Sequence, residues 1–385
     1  MKAALVNRRG ELSISQGPFA KAIYWNFSVT HLRALVLCLC SLTACQKDPG
    51  HDALIVRPPF DLSRTYDHLT DQTSLRIAFG SCLRQDKSAP IFDAIKRSAP
   101  DLFLMVGDNI YAQIEGSDFT PVHTAYRRLW SRLTTVDLGV PIAAVWDDHD
   151  YGISDGGGDW AHKKEAERIF LDYWQVPADD LRRSRPGLYH ERRIQLKGAQ
   201  VQILFLDTRY FRTPLRPTDD RGAEGRQRYL PTQDPDATLL GAAQWQWLED
   251  KLSTDADFRI LVSSIQFAAV DHGWEAWKNI PRDRQRLIDL VDRAAIGNLI
   301  VVSGDRHRGA LYEVPTPSGH NIREITSSPL NNAVYRFEEA STYRVGSSYT
   351  GANFGMVIID VHADKVILEL RDDAGKIVAS ASTAG

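Results

Sequence analysis

Six short apolar segments recur along the chain, and four of them end directly before residue types that bind metal ions. We predict that these segments are strands, at residues 75–80, 101–106, 142–146, 200–206, 258–263 and 299–303. Helices are predicted between them, at residues 90–98, 122–135, 160–174, 241–253 and 281–294. Continuous apolar strands that alternate with helices are typical of an α/β core. In such cores, functional side chains gather beyond the carboxyl ends of the strands.

Two longer stretches interrupt this alternation. Residues 212–237 are rich in Pro, Arg, Asp and Gly, and we interpret them as a long surface loop that serves as a lid or as the rim of a site. Residues 331–352 are polar and rich in Gly, Ser and Tyr. After them, residues 355–361 and 365–371 are predicted to form a closing hairpin that turns at Ala363-Asp364.

Polar clusters follow four of the predicted strands. Their members are a thiol, a phenol, several carboxylates and two imidazoles. The clusters are Ser81-Cys82, Gly107-Asp108-Asn109-Ile110-Tyr111, Trp146-Asp147-Asp148-His149-Asp150 and Ser303-Gly304-Asp305-Arg306-His307. The sequence therefore predicts one metal site that is assembled from distant parts of the chain.

The cluster after residue 146 is the strongest local signal. Asp147, Asp148 and Asp150 surround His149, and carboxylates this close raise one another's pKa unless a cation neutralises them. We interpret His149 either as a ligand or as a general acid that protonates a leaving oxygen, because the ordinary pKa of histidine suits that role.

Spacing within the other clusters predicts local geometry. If a helical turn begins at Asp108, Tyr111 lies on the same face, so that both oxygens meet one ion. Asp305 and His307 lie on one side of the chain if the segment is extended. Oxygen-rich ligands with one thiolate favour hard cations together with a transition metal, and tyrosinate beside thiolate suits Fe(III), with Zn(II) as the alternative.

Several further residues are less specific. Asp207 is either another ligand or the structural partner of Arg209, and Gln266 is predicted to line the pocket. Arg306 either contacts a phosphate or forms a salt bridge. The aromatic set of Trp274, Trp277, Tyr343 and Tyr349 is interpreted as packing, and His272, His320 and His362 as ordinary histidines.

The N-terminal segment resembles a bacterial export signal. Residues 34–42 are apolar and too short to span a bilayer, and Leu42-Thr43-Ala44-Cys45 is similar to a lipobox in which Cys45 becomes the lipidated first residue. We therefore predict a signal peptide at residues 1–45, a tether and lead-in at 46–73, and the main folded domain at 74–385. Residues 1–28 are unusually long for the n-region of a signal peptide and are interpreted as a start-site artefact, with Val29 as the true start.

Charge and cysteine content narrow the functional classes. The net charge is −3 and the chain has no basic run, which argues against nucleic acid as a binding partner. Only Cys82 lies beyond Cys45, so an internal disulfide is not expected in a lipidated protein. We predict a monomer.

Seven motifs occur in a fixed order over residues 74–371. They are Gly80-Ser81-Cys82, Gly107-Asp108-Asn109-Ile110-Tyr111, Trp146-Asp147-Asp148-His149-Asp150, Leu206-Asp207-Thr208-Arg209, Gln244 with Trp247-Leu248, Ser303-Gly304-Asp305-Arg306-His307, and Asn353-Phe354-Gly355. Together they resemble the PhoD-type alkaline phosphatases, within the calcineurin-like metallophosphoesterase superfamily.

The resemblance implies a four-layer α/β/β/α sandwich and a centre that holds Fe3+ and Ca2+, with Zn2+ or Mn2+ as alternatives. It implies that Cys82, Asp108 and Tyr111 bind the iron. It also places Asp148 and His149 on the superfamily's Asn-His pair, and Asp305 and His307 on its closing His-x-His pair. Further candidate ligands are Asp147, Asp150, Asp207, Asn109 and Gln266.

The chain departs from the superfamily at two points in the site. Gly80-Ser81-Cys82 replaces the opening Asp-x-His, as in PhoD-like proteins, and no separate middle histidine is evident near residues 263–266. Residues 46–73 are also too short for the extra N-terminal β domain that many relatives carry.

These observations predict a lipid-anchored enzyme, exported to the periplasm or the cell surface, that hydrolyses phosphate esters of small molecules or lipids. The predicted reaction is direct attack of metal-bound hydroxide on phosphorus, with His149 protonating the leaving group and Arg209 or Arg306 contacting the phosphate. A phosphodiesterase or phospholipase of the same fold is the first alternative. The others are a non-catalytic surface lipoprotein with a structural metal site and a hydrolase of non-phosphate esters.

Overall fold

Two mixed β-sheets pack against each other in the computed structural model, which describes residues 66–297, 299–335 and 338–383. The predicted signal segment, the lipobox at Cys45 and residues 46–65 of the tether lie outside these ranges. The strands, in chain order, are β1 Ser74–Gly80, β2 Leu102–Val106, β3 Ile142–Val145, β4 His190–Leu196, β5 Ala199–Phe205, β6 Arg216–Pro217, β7 Tyr229–Leu230, β8 Phe258–Val262, β9 Leu299–Ser303, β10 Gly309–Pro315, β11 Asn321–Thr326, β12 Arg344–Tyr349, β13 Asn353–Asp360, β14 Lys365–Asp372 and β15 Ile377–Ser382.

The first sheet has the order β15-β14-β13-β1-β2-β3 and the second has the order β12-β10-β11-β9-β8-β5-β4. Strands β1, β2 and β3 are parallel to one another, as are β5, β8, β9 and β11. Parallel strands end at one edge of a sheet, so the segments that follow them are brought together.

In the part of the chain that the structure describes, six helices accompany the sheets. They are α1 Ile91–Arg97, α2 Thr120–Val136, α3 Asp148–Tyr151, α4 Lys163–Tyr173, α5 Gly241–Leu252 and α6 Pro281–Arg293. Short 3₁₀ turns lie at Asp67–Leu69, Leu181–Arg183 and Trp277–Asn279. Among the described residues, no helix has both the length and the apolar character needed to cross a membrane.

The buried apolar residues form three clusters that separate four layers. Alternate residues of β2 show the arrangement: Leu102 and Leu104 face the second sheet, whereas Phe103 and Met105 pack against the helices. Helices α1, α2 and α4 cover the first sheet, and α5 and α6 cover the second. The expected four-layer α/β/β/α sandwich is confirmed.

The six predicted strands and the five predicted helices are all present, with ends that differ by at most three residues. The closing hairpin is present as β13 and β14, which pair antiparallel. Strands β4, β10, β11, β12 and β15 were not predicted, and the sequences of β4 and β12 are mainly polar. Of the β12 residues, three are exposed and three half-buried, so no apolar pattern marks this strand.

Residues 212–237 form the predicted loop, with one addition. Strands β6 and β7 pair within it as a two-stranded ribbon. The backbone N–H groups of Arg228 and Tyr229 both donate to the Gly273 carbonyl, at 2.9 and 2.8 Å. These bonds attach the loop to the segment after β8.

Candidate metal centre

Asp108 is the residue around which the polar clusters meet. It follows β2 through Gly107 and is 2% exposed. Its Oδ2 accepts hydrogen bonds from the Tyr111 hydroxyl at 2.8 Å and from the Cys82 thiol at 3.5 Å. Its Oδ1 accepts one from the backbone N–H of His149 at 3.2 Å. Three strand ends of the first sheet therefore meet at one carboxylate.

Asp108 also belongs to two groups of ligand atoms. In each group, the ligand atoms lie within 4.8 Å of one another. The first group combines Asp108 with Asp148 and His149, and the second combines it with Asp147 and Asp305. One shared carboxylate between two such groups is an arrangement suited to two neighbouring cations.

His307 joins the centre from the second sheet. Its Nε2 lies 3.1 Å from the hydroxyl of Tyr111, and the Tyr111 ring lies 4.2 Å from the His149 ring between centroids. Tyr111, His149, Asp305 and His307 are half-buried, whereas Asp108 is buried. These four residues therefore form the open side of the centre.

The backbone at the centre differs from both geometric predictions. Asp108 has a left-handed φ of 49° and does not lie in a helix, so its contact with Tyr111 does not come from a helical turn. Asp305 and His307 have φ values of 64° and 50°, so their segment is not extended. Cys82 is also left-handed, with φ 57°. Left-handed backbone is uncommon for residues with a side chain, and it concentrates at functional sites.

Gly107 is required where it stands. Its φ is 89°, and a Cβ at this position would lie 2.6 Å from the Cβ of Asp147 and 3.0 Å from that of Ser264. The glycine therefore allows the two sheet edges to approach each other behind Asp108.

The pKa values of the clustered acids are raised in the metal-free centre. Burial raises the pKa of Asp108 well above its ordinary range, and the charges of neighbouring aspartates add to this effect. Burial and the charge of Asp108 do the same for the pKa of Cys82 and of Tyr111. Burial raises the pKa of Asp305 to about 8 and that of Asp147 to about 7. Cations would remove this cost by favouring the ionised forms.

The residues fit bound cations by a second criterion. Asp147 Oδ2, Asn109 Oδ1 and His149 Nδ1 are buried and have no hydrogen-bond partner among the described residues. Buried polar atoms are normally paired, so unpaired donor atoms beside the two groups point to a missing ligand. A thiol, a phenol, carboxylates and imidazoles together form a donor set for a hard cation and a transition metal.

Both carboxylate oxygens of Asp150 accept hydrogen bonds within the protein. Its Oδ2 accepts from the backbone N–H groups of Asn109 and Asp147, both at 3.1 Å. Its Oδ1 accepts from the Tyr126 hydroxyl at 3.2 Å. The structure therefore places Asp150, a predicted further ligand, as the residue that fixes the turns carrying the other ligands.

Asp207 and Gln266 are also occupied. Asp207 accepts from the indole N–H of Trp146 at 2.9 Å and from the backbone N–H of Leu188 at 2.8 Å. Gln266 Oε1 lies 3.0 Å from Nε2 of the buried His272. These contacts do not support metal ligation by either residue, because their oxygens are used within the protein.

Arg209 lies behind the centre. Its side chain is 0% exposed, and its guanidinium donates to Asp147 at 2.6 Å and to Glu275 at 2.7 Å. Ser264 also donates to Asp147, at 2.7 Å. This position does not support the predicted contact between Arg209 and a substrate phosphate, since protein carboxylates already bind the guanidinium.

Arg306 forms the salt bridge that was one of its two interpretations. Its guanidinium lies 2.5 Å from a carboxylate oxygen of Glu339, and its side chain is 3% exposed. The guanidinium also lies 5.0 Å from the centroid of the Trp274 ring. A contact of Arg306 with phosphate would require this pair to separate.

Two residues that hold the side chains of the centre in place, Glu275 and Asp155, lie outside the motifs and were not predicted from the sequence. Glu275 neutralises Arg209 and lies 3.0 Å from Arg212. Asp155 donates through its backbone N–H to Asp148 Oδ2 at 2.8 Å, and its own carboxylate pairs with Arg228. No spacing rule marks these residues, because each belongs to an irregular loop.

The raised pKa values predict how metal-free protein responds to pH. When the pKa of a carboxyl is higher in the folded state than in the unfolded state, the free energy of unfolding falls as the pH rises toward the folded-state pKa. His307, whose pKa burial lowers to about 4, has the opposite effect below its ordinary value of 6.5. Above about pH 6.5 the carboxyl effect remains, so we expect the free energy of unfolding to fall by up to about 2 kcal/mol for Asp305 as the pH approaches 8, and by less than about 1 kcal/mol for Asp147 as it approaches 7.

Denaturant unfolding of metal-free and metal-loaded protein at several pH values measures this effect. The metal-loaded protein serves as the control. Its free energy of unfolding is expected to change little over this pH range, because cations keep the carboxylates ionised throughout. A metal-free protein whose stability rises with pH in this window would contradict the prediction.

The four-layer sandwich with an acidic centre at its strand ends defines the metallophosphatase-like class of proteins. The chain belongs to the PhoD-like phosphatase family, whose model matches residues 77–366. It is 24% identical over 331 residues to alkaline phosphatase D of Bacillus subtilis (strain 168), a match that covers 73% of this chain and 52% of the relative. The chain thus spans about half the length of this curated relative.

Solved structures share the fold at low sequence identity. The structure of PhoD matches with a TM-score of 0.64 and 16% identity, over 82% of this chain and 69% of that one. A purple acid phosphatase from yellow lupin (Lupinus luteus) seeds matches with a TM-score of 0.55 and 10% identity, over 85% and 55%. GAP50, the anchor in the inner membrane complex of Plasmodium, matches with a TM-score of 0.54 and 12% identity, over 81% and 89%.

Proposed function

We propose that this protein hydrolyses phosphate esters in a metal-dependent reaction. The observation that carries the proposal is the position of Asp108, which is shared by two groups of ligand atoms at the joined edges of the two sheets. Membership of the PhoD-like phosphatase family supports the same activity.

The residues proposed to hold one cation are Cys82, Asp108, Tyr111 and His307, because their donor atoms lie in one chain of contacts. Those proposed for a second cation are Asp108, Asp147, Asp148 and Asp305, with Asn109 Oδ1 as a further donor. When bound, cations at these positions would activate water and stabilise negative charge on the phosphate oxygens.

The chain's own residues divide the remaining tasks. His149 lies on the open side and is proposed to give a proton to the leaving oxygen. Arg209 and Ser264 hold Asp147 in place from behind. Ser81 donates to the Ser327 carbonyl at 3.0 Å and is 1% exposed, so it is not placed to act as a nucleophile. Water is therefore the proposed nucleophile, and no phosphorylated enzyme forms.

Assays of purified protein with p-nitrophenyl phosphate and bis-p-nitrophenyl phosphate test the proposal. We expect hydrolysis that is lost on chelation of the metals and recovered when they are returned, because the proposed cations would activate the attacking water. The ratio of the two rates distinguishes a monoesterase from the alternative phosphodiesterase. Orthophosphate and vanadate are expected to inhibit.

Several outcomes would contradict this function. Fully metal-loaded protein that hydrolyses neither ester would favour the non-catalytic lipoprotein. Hydrolysis of carboxylic esters without inhibition by vanadate would favour a hydrolase of non-phosphate esters.

The proposed metals are Fe3+ and Ca2+, with Zn2+ or Mn2+ as the alternatives. Cys82 and Tyr111 beside Asp108 supply the soft and phenolic donors that suit Fe3+, and the aspartate group suits Ca2+. Iron-loaded protein is expected to absorb visible light through charge transfer from Tyr111. The Tyr111→Phe variant is expected to lose this band. The Tyr229→Phe variant, which removes a hydroxyl that contacts Asp155, is expected to keep it.

Elemental analysis together with the visible spectrum checks this prediction. If the protein is colourless and contains stoichiometric Zn2+, the proposed iron is wrong and Zn2+ takes its place. A coloured Tyr111→Phe variant would contradict the assignment of Tyr111 as a ligand.

We also propose that the protein is exported and anchored through a lipid on Cys45. The Leu42-Thr43-Ala44-Cys45 motif after an apolar segment supports this location. Cys45→Ser is expected to abolish incorporation of labelled fatty acid and release the protein from the membrane fraction. Unchanged labelling would contradict the anchor.

A further inference from the structure

Three side chains contact one another in sequence beside the open side of the centre. We call Arg228, Trp274 and Tyr335 the rim cluster. The Tyr335 ring stacks on the Trp274 ring, with centroids 5.7 Å apart and an interplanar angle of 27°. The guanidinium of Arg228 lies 5.2 Å from the centroid of the Trp274 ring. Two loops that are distant in sequence, 212–237 and 331–352, therefore meet on one aromatic residue.

Both ends of the rim cluster contact the metal centre. At one end, the Tyr335 ring stacks on the His307 ring, with centroids 5.4 Å apart and an interplanar angle of 23°. At the other end, Arg228 pairs with Asp155, whose backbone N–H donates to Asp148 at 2.8 Å. The cluster thus runs from the His307 side of the centre to the Asp148 side.

Exposure distinguishes the rim cluster from the other aromatic and cationic groups near the centre. Tyr335 is 42% exposed although it contacts two other rings, and the Arg228 side chain is 36% exposed. By contrast, the side chains of Arg209 and Arg306 are 0% and 3% exposed. Tyr335 and Arg228 therefore offer exposed aromatic and guanidinium surface beside the centre, and half-buried Trp274, which Arg306 also contacts, links them.

The charge of the rim cluster is already balanced. Arg228 is paired with Asp155, which also accepts from the Tyr229 hydroxyl at 2.7 Å. A second anionic group on the substrate would have to compete with Asp155 for this guanidinium. Stacking on aromatic and guanidinium planes is the interaction that remains, and it favours flat π systems over saturated groups.

We propose that the rim cluster is the subsite for the leaving group of the ester, and that it selects a planar aromatic or heteroaromatic group over an aliphatic group of similar size. This inference rests on the proposed phosphate ester hydrolysis and specifies its substrate class. In the reaction, the oxygen of water bonds to phosphorus as the bond from phosphorus to the ester oxygen breaks. The electron pair stays on the ester oxygen, which takes a proton from His149. The water proton restores His149, so the products are the alcohol and phosphate.

Benzyl phosphate and cyclohexylmethyl phosphate test the inference in full-length, metal-loaded protein. Both release a primary alcohol of similar size, so their intrinsic reactivity is matched and the ring is the main difference. We expect kcat/KM to be about 3- to 10-fold higher for the benzyl ester. Tyr335→Leu is expected to bring this ratio close to one, whereas Tyr335→Phe, which retains the ring, is expected to keep it.

Binding supplies a readout that is independent of turnover. Benzylphosphonate is expected to bind the wild-type protein more tightly than cyclohexylmethylphosphonate in calorimetric titrations, by a similar factor, and Tyr335→Leu is expected to remove the difference. A purely structural role of Tyr335 beside His307 would change both ligands equally. Trp274→Leu provides a second variant with the same expected loss of preference.

These experiments distinguish failure of this inference from failure of the proposed phosphate ester hydrolysis. Equal kcat/KM values and equal affinities for the two rings in the wild type would overturn the inference alone. A ratio that persists in both Tyr335→Leu and Trp274→Leu would also overturn it. Hydrolysis of neither ester by metal-loaded protein would overturn the proposed function and this inference together.

Discussion

Replacing Asp108 by asparagine is expected to abolish phosphate ester hydrolysis while the protein stays folded. Asp108 accepts from Cys82, Tyr111 and the backbone of His149, and it is the one residue common to both groups of ligand atoms among the described residues. Asparagine has nearly the same shape but no charge. Both cations would lose a shared ligand, so we expect kcat/KM to fall by at least about 10³-fold.

Although activity is expected to be lost in Asp108→Asn, the stability of the metal-free protein is expected to be retained or to increase. Burial and the neighbouring aspartates raise the pKa of Asp108, which shows that its charge is unfavourable in the metal-free fold. The metal-free Asp108→Asn protein should therefore be at least as stable as the wild type, an instance of stability given up for function.

Elemental analysis, steady-state kinetics and thermal unfolding of the metal-free variant check the result. Asp71→Asn, which removes a carboxylate at an exposed position, is the matched control and should change none of the three. Full activity in Asp108→Asn, or loss of its folded structure without loss of metal, would contradict the assignment.

His149→Gln is expected to have an effect that depends on the leaving group. If His149 protonates the departing oxygen, its loss should reduce kcat by about 10²- to 10⁴-fold for an alkyl phosphate such as benzyl phosphate. For p-nitrophenyl phosphate the reduction should be much smaller, because the nitrophenolate leaves without a proton. His362→Gln, at an exposed position, is the control.

Metal content separates this role from the other interpretation of His149. The residue lies in one group of ligand atoms with Asp108 and Asp148, and its buried Nδ1 has no hydrogen-bond partner within residues 66–297, 299–335 and 338–383. If His149 is instead an essential metal ligand, its replacement would lower the metal content and reduce the hydrolysis rates of both substrates equally. Retained metal with a loss restricted to the alkyl ester would establish the acid role.

The convergence of the centre was predictable from the sequence because strand ends are marked by short apolar runs. Cys82, Asp108 and Asp148 each follow such a run, and parallel strands place the residues after them at one edge. The exact backbone of these turns was not predictable. Asp305 and His307 both adopt left-handed conformations, whereas alternation along an extended segment was expected to bring them together.

The roles of the arginines were less accessible to sequence reasoning. Arg209 looks like a phosphate-binding residue within its motif, yet Glu275, distant in sequence, neutralises it. The rim cluster was similarly hidden, because Trp274 and Tyr335 lie in irregular loops with no periodic pattern. Long-range contacts between loops depend on the packed fold, and local spacing carries no record of them.

The division of the centre between two sheets has a consequence for folding. Cys82, Asp108 and Asp148 follow strands of the first sheet, whereas Asp305 and His307 follow a strand of the second. An intermediate with only one sheet formed would hold an incomplete set of ligands and would bind cations weakly. Recovery of activity during refolding should therefore coincide with burial of the apolar side chains between the two sheets. Metal added at the start of refolding should mainly affect the final step, in which the two sheets pack together.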